Sequence, residues 1–258
     1  AGYNEPSNPD VVINNYGEVT PERAASEIVR TYLSGAGLVG GDKGKGAYWD
    51  SVYSEKTGVL EPSPFSEFVS RVLGKEKRSF LEVGCGNGRD AIHFDNIGFD
   101  VTAIDTSVTA IALCHKLHKG NGARFLATGI SALGLSEPNV TYDVIYSRFV
   151  LHVMTTPEEA EFLTNSYQML GDGGALFIEC RSINDPLARK GEIISPTERI
   201  FGHYRRFIVL DELTAGLESV GFILEQIIER KGLAVFGEED PVIIRVVARS
   251  KHARAFGQ

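Results

Sequence analysis

The chain has 258 residues with a formal net charge of −8, and 43% of its residues are hydrophobic. This composition can fill the core of one large domain, which excludes wholesale disorder, and the acidic balance argues against a general nucleic-acid binder. No apolar run approaches the roughly 20 residues of a membrane-spanning helix. The three dispersed cysteines match neither a disulfide framework nor a zinc pattern, so we expect a cytoplasmic protein that needs no metal.

Residues 1–33 hold one predicted strand, at residues 9–14, and one predicted helix, at residues 21–33, which Thr20 caps. The patterns Tyr-x-x-Pro-x-x-Pro-Asp and Thr-Pro-Glu-x-Ala, within residues 3–33, resemble the closing segment of adenylyl-sulfate kinase-type P-loop kinases. The resemblance implies that the chain follows a covalently linked kinase-like domain in a multifunctional fusion. The phosphate loop of such kinases is absent here, so we expect no kinase activity of the chain. The alternative is an N-terminal arm that packs on the main domain.

A glycine-rich stretch, SGAGLVGGDKGKG, follows at residues 34–46. Six of its thirteen residues are glycine, the residue that loses most conformational entropy when it is ordered. The stretch is therefore predicted to be a flexible linker, and residues 47–258 are predicted to form a separate domain.

Strand and helix patterns alternate through this domain. Short apolar runs rich in β-branched residues, typical of strands buried on both faces, lie at residues 80–83, 101–104, 144–146, 175–178, 223–228 and 242–247. Predicted helices lie between them at about residues 89–97, 108–118, 157–170 and 211–220. This alternation predicts an α/β fold with a mostly parallel, doubly wound sheet and helices on both faces. Only a loop separates the last two strands, so we expect them to pair as an antiparallel hairpin.

The segment FLEVGCGNGRD is a buried strand that ends in a loop containing Gly84, Gly86 and Gly88, followed by a helix. Ligands bind beyond the carboxyl ends of the strands in such sheets, and glycines let a ligand approach the backbone. Asp105 ends the next strand, where a carboxylate can accept hydrogen bonds from both ribose hydroxyls of a nucleoside. The glycine spacing differs from the G-x-G-x-x-G of dinucleotide sites, and Glu82 suits a cationic ligand better than a diphosphate.

The segments LEVGCGNG, YDVIYSRFVLH and LGDGGALFIE, together with Asp105, resemble class I S-adenosylmethionine-dependent methyltransferases over residues 48–249. The resemblance implies a Rossmann-like seven-stranded sheet in the order 3-2-1-4-5-7-6 with strand seven antiparallel, and S-adenosyl-L-methionine as cofactor. Where the family often has an adenine-contacting acid, this chain has Gly129, so adenine recognition is expected from the Ile130 backbone and from Thr106 or Ser107. The implied cofactor-binding residues in the core are Glu82, Gly84, Gly86, Gly88, Asp105, Thr106, Ile130 and Ser147.

Aromatic residues are concentrated in AYWDSVYSE, directly before the core. Tyr48, Trp49 and Tyr53 are candidates to close over the cofactor, because an aromatic face beside a sulfonium gains about 0.5–2 kcal/mol. The alternative is that these rings only pack a helix on the edge of the sheet.

Two segments supply candidate acceptor-binding residues. After the fourth strand come Arg148, which stays charged and can hold an anion, and His152, which can act as a base or be structural. The connection at residues 181–210 is long, and residues 181–206 contain six Lys or Arg against three Asp or Glu, which predicts a basic lid rather than a solvated loop. The predicted catalytic set is Arg148, His152, Arg181, His203, Tyr204, Arg205 and Arg206.

These features together predict a methyltransferase that acts on an oxygen of an anionic acceptor. The kinase-like segment favours a phosphorylated small molecule or glycan, and a phosphate oxygen needs no strong base because it is already deprotonated. Arg148, Arg181, Arg205 and Arg206 would orient it. One alternative is O- or N-methylation of a neutral small molecule, with His152 or His203 as the base. Further alternatives are a cofactor-binding module without catalysis and, more remotely, a dinucleotide dehydrogenase.

Overall fold

The described part of the chain has a sheet of seven strands at its centre. A computed structural model describes residues 45–54, 61–74 and 78–251. The strands are β1 (Ser79–Val83), β2 (Asp100–Asp105), β3 (Arg124–Ala127), β4 (Tyr142–Arg148), β5 (Leu170–Arg181), β6 (Glu192–Ile193), β7 (Glu198–Phe201), β8 (His203–Arg206), β9 (Ile223–Arg230) and β10 (Ile243–Arg249). The α-helices are α1 (Lys45–Ser54), α2 (Pro64–Leu73), α3 (Arg89–Asn96), α4 (Val108–Leu117), α5 (Ile130–Ser136), α6 (Thr156–Met169) and α7 (Leu210–Val220). Two 3₁₀ turns span Leu151–Val153 and Pro186–Arg189.

The strand order in the large sheet is β3-β2-β1-β4-β5-β10-β9. Strands β1 to β5 pair in parallel, and β10 is antiparallel to both β5 and β9. This arrangement confirms the predicted fold, including the antiparallel hairpin at the end of the domain. It also brings the carboxyl ends of β1, β2 and β4 to one edge, where the glycine loop lies.

Helices cover both faces of this sheet, because neighbouring residues of a strand point to opposite sides. Phe80 of β1 packs with residues of α2, α3 and α4, while Leu81 packs with residues of α5, α6 and α7. Strand β9 departs from the expectation of strands buried on both faces. It lies at the edge with a single neighbour, and most of its residues are exposed.

A buried hydrogen-bond network joins α2, α3 and β4. The carboxylate of Asp90 accepts hydrogen bonds from the backbone nitrogen of Ser63 at 2.8 Å, from the Ser63 hydroxyl at 2.7 Å and from the Tyr146 hydroxyl at 2.8 Å. Ser63 in turn caps α2 by accepting from the Ser66 backbone. One carboxylate therefore fixes the start of two helices against the central sheet.

Replacing Asp90 by alanine is expected to lower the free energy of unfolding by about 2–4 kcal/mol, because three buried donors lose their acceptor. Urea unfolding followed by circular dichroism measures this change. The exposed Asp100, at the start of β2, provides a control, and Asp100→Ala should shift stability by less than about 0.5 kcal/mol. Equal stabilities for the two variants would contradict the role given to Asp90.

The predicted lid segment is a small antiparallel sheet in the order β6-β7-β8. Strands β7 and β8 form a tight hairpin in which Phe201 pairs with His203 across Gly202. Successive residues of β8 therefore alternate between two environments, with Tyr204 and Arg206 buried and His203 and Arg205 half-buried.

The kinase-like segment at residues 3–33 and the linker up to residue 44 lie outside the described residues. Helix α1 begins at Lys45, so it includes the last two residues of the predicted linker. Within the described ranges, every helix is too short or too polar to cross a bilayer.

Candidate cofactor and acceptor site

The loop after β1 is closely surrounded by side chains. Gly84 and Gly86 have φ angles of 76° and 57°, a region that glycine enters without steric cost. A Cβ on Gly84 would overlap the Val150 side chain, and a Cβ on Gly86 would overlap the Tyr53 hydroxyl. The sequence-predicted glycines therefore let neighbouring side chains approach the loop backbone closely. We call this loop the glycine cradle, and Gly88 ends it as the N-cap of α3.

Two carboxylates lie beside this cradle. Glu82 is only 4% exposed, burial raises the pKa of its carboxyl well above the ordinary value, and Oε2 has no hydrogen-bond partner in the described part of the chain. Asp105 accepts hydrogen bonds from the backbone nitrogens of Gly86 and Ser107, both at 2.9 Å, and burial raises its pKa. A cationic group at Glu82 and hydroxyl donors at Asp105 would each stabilise a carboxylate that burial disfavours.

The remaining predicted cofactor residues lie at the ends of neighbouring strands. Thr106 follows β2, is exposed, and has its methyl group 3.8 Å from the position of a Cβ on Gly129. Ile130 is buried at the start of α5. Ser147 pairs with Val83 in register, is fully buried, and has an Oγ without a partner among the described residues.

Helix α1 connects the glycine loop with β8. Tyr53 contacts Gly86, and Asp50 accepts a hydrogen bond of 2.5 Å from the Ser107 hydroxyl. At the other side, the Tyr48 ring stacks on His203 with centroids 4.4 Å apart, and the Trp49 ring lies 5.7 Å from the same imidazole. The structure thus brings the predicted aromatic residues to both sides of the site, and Asp50 is a contact that sequence reasoning missed.

A group of five basic side chains, which we call the basic cluster, gathers beyond β4 and β5. Its members are Arg148, His152, Arg181, His203 and Arg205. The guanidinium carbons of Arg148 and Arg181 lie 4.3 and 6.0 Å from the centre of the Phe149 ring. The centre of the His152 ring lies 5.5 Å from the same point. Phe149 has a φ of 58°, the only positive φ of a non-glycine residue in the described ranges, and sequence reasoning did not single it out.

Both histidines of the basic cluster are neutral at pH 7. Burial, reinforced by Arg205 and Arg181, lowers the pKa of His152 well below its ordinary value. Burial and Arg205 lower the pKa of His203 to about 4. Three buried nitrogens of the cluster have no hydrogen-bond partner among the described residues: His152 Nδ1, His203 Nε2 and Arg205 Nε. Buried polar atoms of folded proteins are normally paired, so this group of nitrogens indicates a binding site for a polar ligand.

The arginines of the basic cluster differ in how far carboxylates neutralise them. Arg148 Nε donates to Glu179 at 2.8 Å, and the other oxygen of Glu179 accepts from Arg245 at 2.6 Å. Arg181 contacts two acids of its own. Arg205 has no ion pair within the described ranges, and burial lowers the pKa of its guanidinium, so its charge is the one most in need of a counter-ion.

Tyr204 and Arg206 are not brought together with the basic cluster. They occupy the opposite side of β8 because side chains alternate along a strand. Arg206 forms a buried ion pair with Glu159 and donates from Nε to the Met154 carbonyl at 2.9 Å, while the Tyr204 hydroxyl bonds to Glu198. These contacts anchor β8 to the domain, and Arg206 is therefore already paired on the side of β8 away from the basic cluster. In the described residues, no group of three or more His, Cys, Asp or Glu is arranged to hold a metal ion.

The comparisons with known proteins agree with this geometry. A family described as a methyltransferase domain matches residues 61–227, well over half of the chain. A ubiquinone biosynthesis O-methyltransferase from Xanthomonas euvesicatoria pv. vesicatoria is 27% identical over 70% of this chain and 77% of its own length. Phosphoethanolamine N-methyltransferase 3 from Arabidopsis thaliana is 33% identical over 54% of this chain, but only 29% of its own length is matched.

Two solved structures share the fold at low sequence identity. The CcbJ methyltransferase from Streptomyces caelestis superposes with a TM-score of 0.61 and 17% identity, covering 80% of this chain and 98% of that one. The 1,6-didemethyltoxoflavin-N1-methyltransferase from Burkholderia thailandensis, with bound S-adenosylhomocysteine, superposes with a TM-score of 0.56 and 17% identity over 92% and 93% of the two chains. The glycine cradle and the unpartnered Glu82 oxygen fit an amino-acid nucleoside of this kind. The chain therefore belongs to the methyltransferase domain family, with S-adenosylmethionine as its cofactor.

Proposed function

We propose that the protein transfers a methyl group to an oxygen of an anionic, phosphorylated acceptor, either a small molecule or a glycan. The observation that carries this proposal is the basic cluster, in which buried nitrogens of His152, His203 and Arg205 lack partners beside the cofactor edge of the sheet. A neutral acceptor would leave the Arg205 charge uncompensated. A phosphate group can accept hydrogen bonds from several of these donors at once.

The residues have separable tasks in this reaction. The glycine loop, Glu82 and Asp105 would hold the cofactor, which supplies an electrophilic methyl group bonded to a sulfonium. Arg148, Arg181 and Arg205 would bind and orient the acceptor anion and leave one of its oxygens unhindered for attack. The cofactor would supply the methyl group to that oxygen and keep the electron pair of its carbon–sulfur bond. A phosphate monoester is already ionised at neutral pH, so no proton has to be removed.

The relatives support an acceptor of this kind. The name of the Arabidopsis relative specifies a phosphate-bearing acceptor, although it is methylated on nitrogen, and the name of the Xanthomonas relative specifies O-methylation. The predicted kinase-like segment at residues 3–33 also favours phosphate, since one domain would phosphorylate what the next methylates. That fusion stays a prediction, because the segment lies outside both the described residues and the matched family region.

A second candidate is methylation of a neutral hydroxyl or amine. The observation that favours it is the neutral His152, whose unpartnered Nδ1 can accept a proton without first losing one. His203 is neutral for the same reason. The low pKa of His152 also makes it a weak base, which is why we prefer an acceptor that is already ionised.

The proposal predicts that phosphate monoesters are methylated and that their dephosphorylated counterparts are not. We expect S-adenosylhomocysteine release with sugar phosphates or phosphoethanolamine, and none above background with the free sugars or ethanolamine. Mass spectrometry of the product distinguishes a methylated phosphate oxygen from a methylated nitrogen. Equal turnover with both members of a pair would favour the second candidate. Tight cofactor binding without turnover on any acceptor would instead indicate a non-catalytic module.

A further inference from the structure

We propose that the Glu239 carboxylate is a displaceable counter-ion of Arg181, and that the phosphate of a monoester acceptor replaces it on binding. This inference rests on the proposed function and adds to it a carboxylate that competes with the acceptor phosphate for Arg181. Glu239 lies in the loop between β9 and β10, far in sequence from the other acceptor residues.

The two acids that contact Arg181 are held very differently. Asp185 is 2% exposed and also accepts hydrogen bonds from the backbone nitrogens of Leu187 at 2.8 Å and Val242 at 2.9 Å, so it is fixed. Glu239 contacts Arg181 Nη2 at 3.1 Å, but its side chain is 71% exposed. Exposed ion pairs contribute little to stability, so Glu239 can leave Arg181 at small cost, whereas Asp185 cannot.

Glu239 acts on Arg205 as well as on Arg181. Burial and Arg181 lower the pKa of the Arg205 guanidinium, and Tyr48, Glu239 and Asp185 oppose that shift. The carboxylate of Glu239 therefore contacts Arg181 and acts electrostatically on Arg205, as one charge of an acceptor would. A phosphate group bound at Arg205 would compete with the Glu239 carboxylate for attraction to Arg205 and Arg181.

The balance of charge in the site matches a dianion once Glu239 has moved. Four arginines face three carboxylates, and the two histidines are neutral, so one positive charge is in excess. Displacement of Glu239 raises the excess to two, which a phosphate monoester neutralises and a diester or carboxylate does not. The groups counted are Arg148, Arg181, Arg205 and Arg245 against Glu179, Asp185 and Glu239.

The test compares Glu239→Gln with Glu238→Gln, which removes the same charge from the neighbouring exposed residue. Trp49 is the only tryptophan of the chain and lies 5.7 Å from His203, so its fluorescence reports binding at the cluster. Inorganic phosphate, a dianion at about pH 8, and the monoanion dimethyl phosphate are titrated into the full chain, with calorimetry as a second readout.

We expect Glu239→Gln to bind inorganic phosphate about two- to fivefold more tightly than the wild type, with a smaller gain for dimethyl phosphate because Coulomb attraction scales with ligand charge. Glu238→Gln should match the wild type. If Glu239→Gln binds phosphate no better than Glu238→Gln, the role of Glu239 is overturned while the acceptor proposal stands. If phosphate binds Arg205→Ala as tightly as the wild type, or binds no variant, the acceptor proposal itself fails, and the role of Glu239 fails with it.

Discussion

Replacing Asp105 by alanine is expected to weaken S-adenosylmethionine binding by about 100- to 10,000-fold. A carboxylate at this position would accept two hydrogen bonds from ribose hydroxyls, and hydrogen bonds to a charged group contribute about 1.5–3 kcal/mol each. The variant also leaves the backbone nitrogens of Gly86 and Ser107 without their acceptor, which loosens the loop that forms the cradle. Isothermal titration calorimetry with the cofactor measures the loss.

The control for this variant is Asp100→Ala, at the other end of β2, where the side chain is exposed. It changes the charge of the protein by the same amount and should bind the cofactor as the wild type does. Circular dichroism before titration establishes that both variants are folded. An Asp105→Ala protein that is folded and retains wild-type affinity would place the nucleoside elsewhere in the structure.

Replacing Arg205 by alanine is expected to lower kcat/KM for a phosphorylated acceptor by about 30- to 5000-fold, with cofactor affinity unchanged. The expected size follows from the 2–5 kcal/mol lost when one member of a desolvated charge pair is truncated. Arg205 is the arginine of the basic cluster without an ion pair among the described residues, so its charge is available to the acceptor. Steady-state release of S-adenosylhomocysteine at varied acceptor concentration measures the effect.

Two further variants make this result specific. Arg189→Ala removes an exposed arginine from the same connection between β5 and α7, and it should leave kcat/KM unchanged. His152→Ala should lower turnover of a phosphorylated acceptor far less than Arg205→Ala does, because an ionised oxygen needs no base and the imidazole it loses is neutral. The reverse pattern, with turnover lost in His152→Ala and kept in Arg205→Ala, would favour the neutral acceptor.

The fold and the cofactor side of the site were predictable because they depend on local sequence. Alternating apolar runs, the glycine spacing and the acids at Glu82 and Asp105 each occupy a few consecutive residues, and strand order followed from resemblance to a family with one topology. Strand β3 was absent from the apolar runs, since it has four residues and begins with the charged Arg124. Its place was recovered only through that resemblance.

The acceptor side was less predictable because its contacts join residues far apart in the chain. Arg205 and Arg206 are adjacent in sequence and look equivalent, yet Arg206 pairs with Glu159, which is 47 positions away. Side chains alternate along the short strand β8, and this alternation places only Arg205 at the basic cluster. The sequence did not predict this strand, because the segment is polar. Phe149 gave no signal either, since its left-handed backbone involves neither glycine nor asparagine. Pairings of this kind depend on the assembled domain rather than on local pattern.

The position of α1 also bears on how fast the enzyme can exchange its ligands. An occupant of the glycine loop lies beside a helix that touches Gly86 through Tyr53 and His203 through Tyr48. The contacts of that helix include ring contacts and a hydrogen bond from Ser107 to Asp50, each worth on the order of 1 kcal/mol. We expect contacts of this strength to let the helix move aside between turnovers, so that the spent nucleoside can leave.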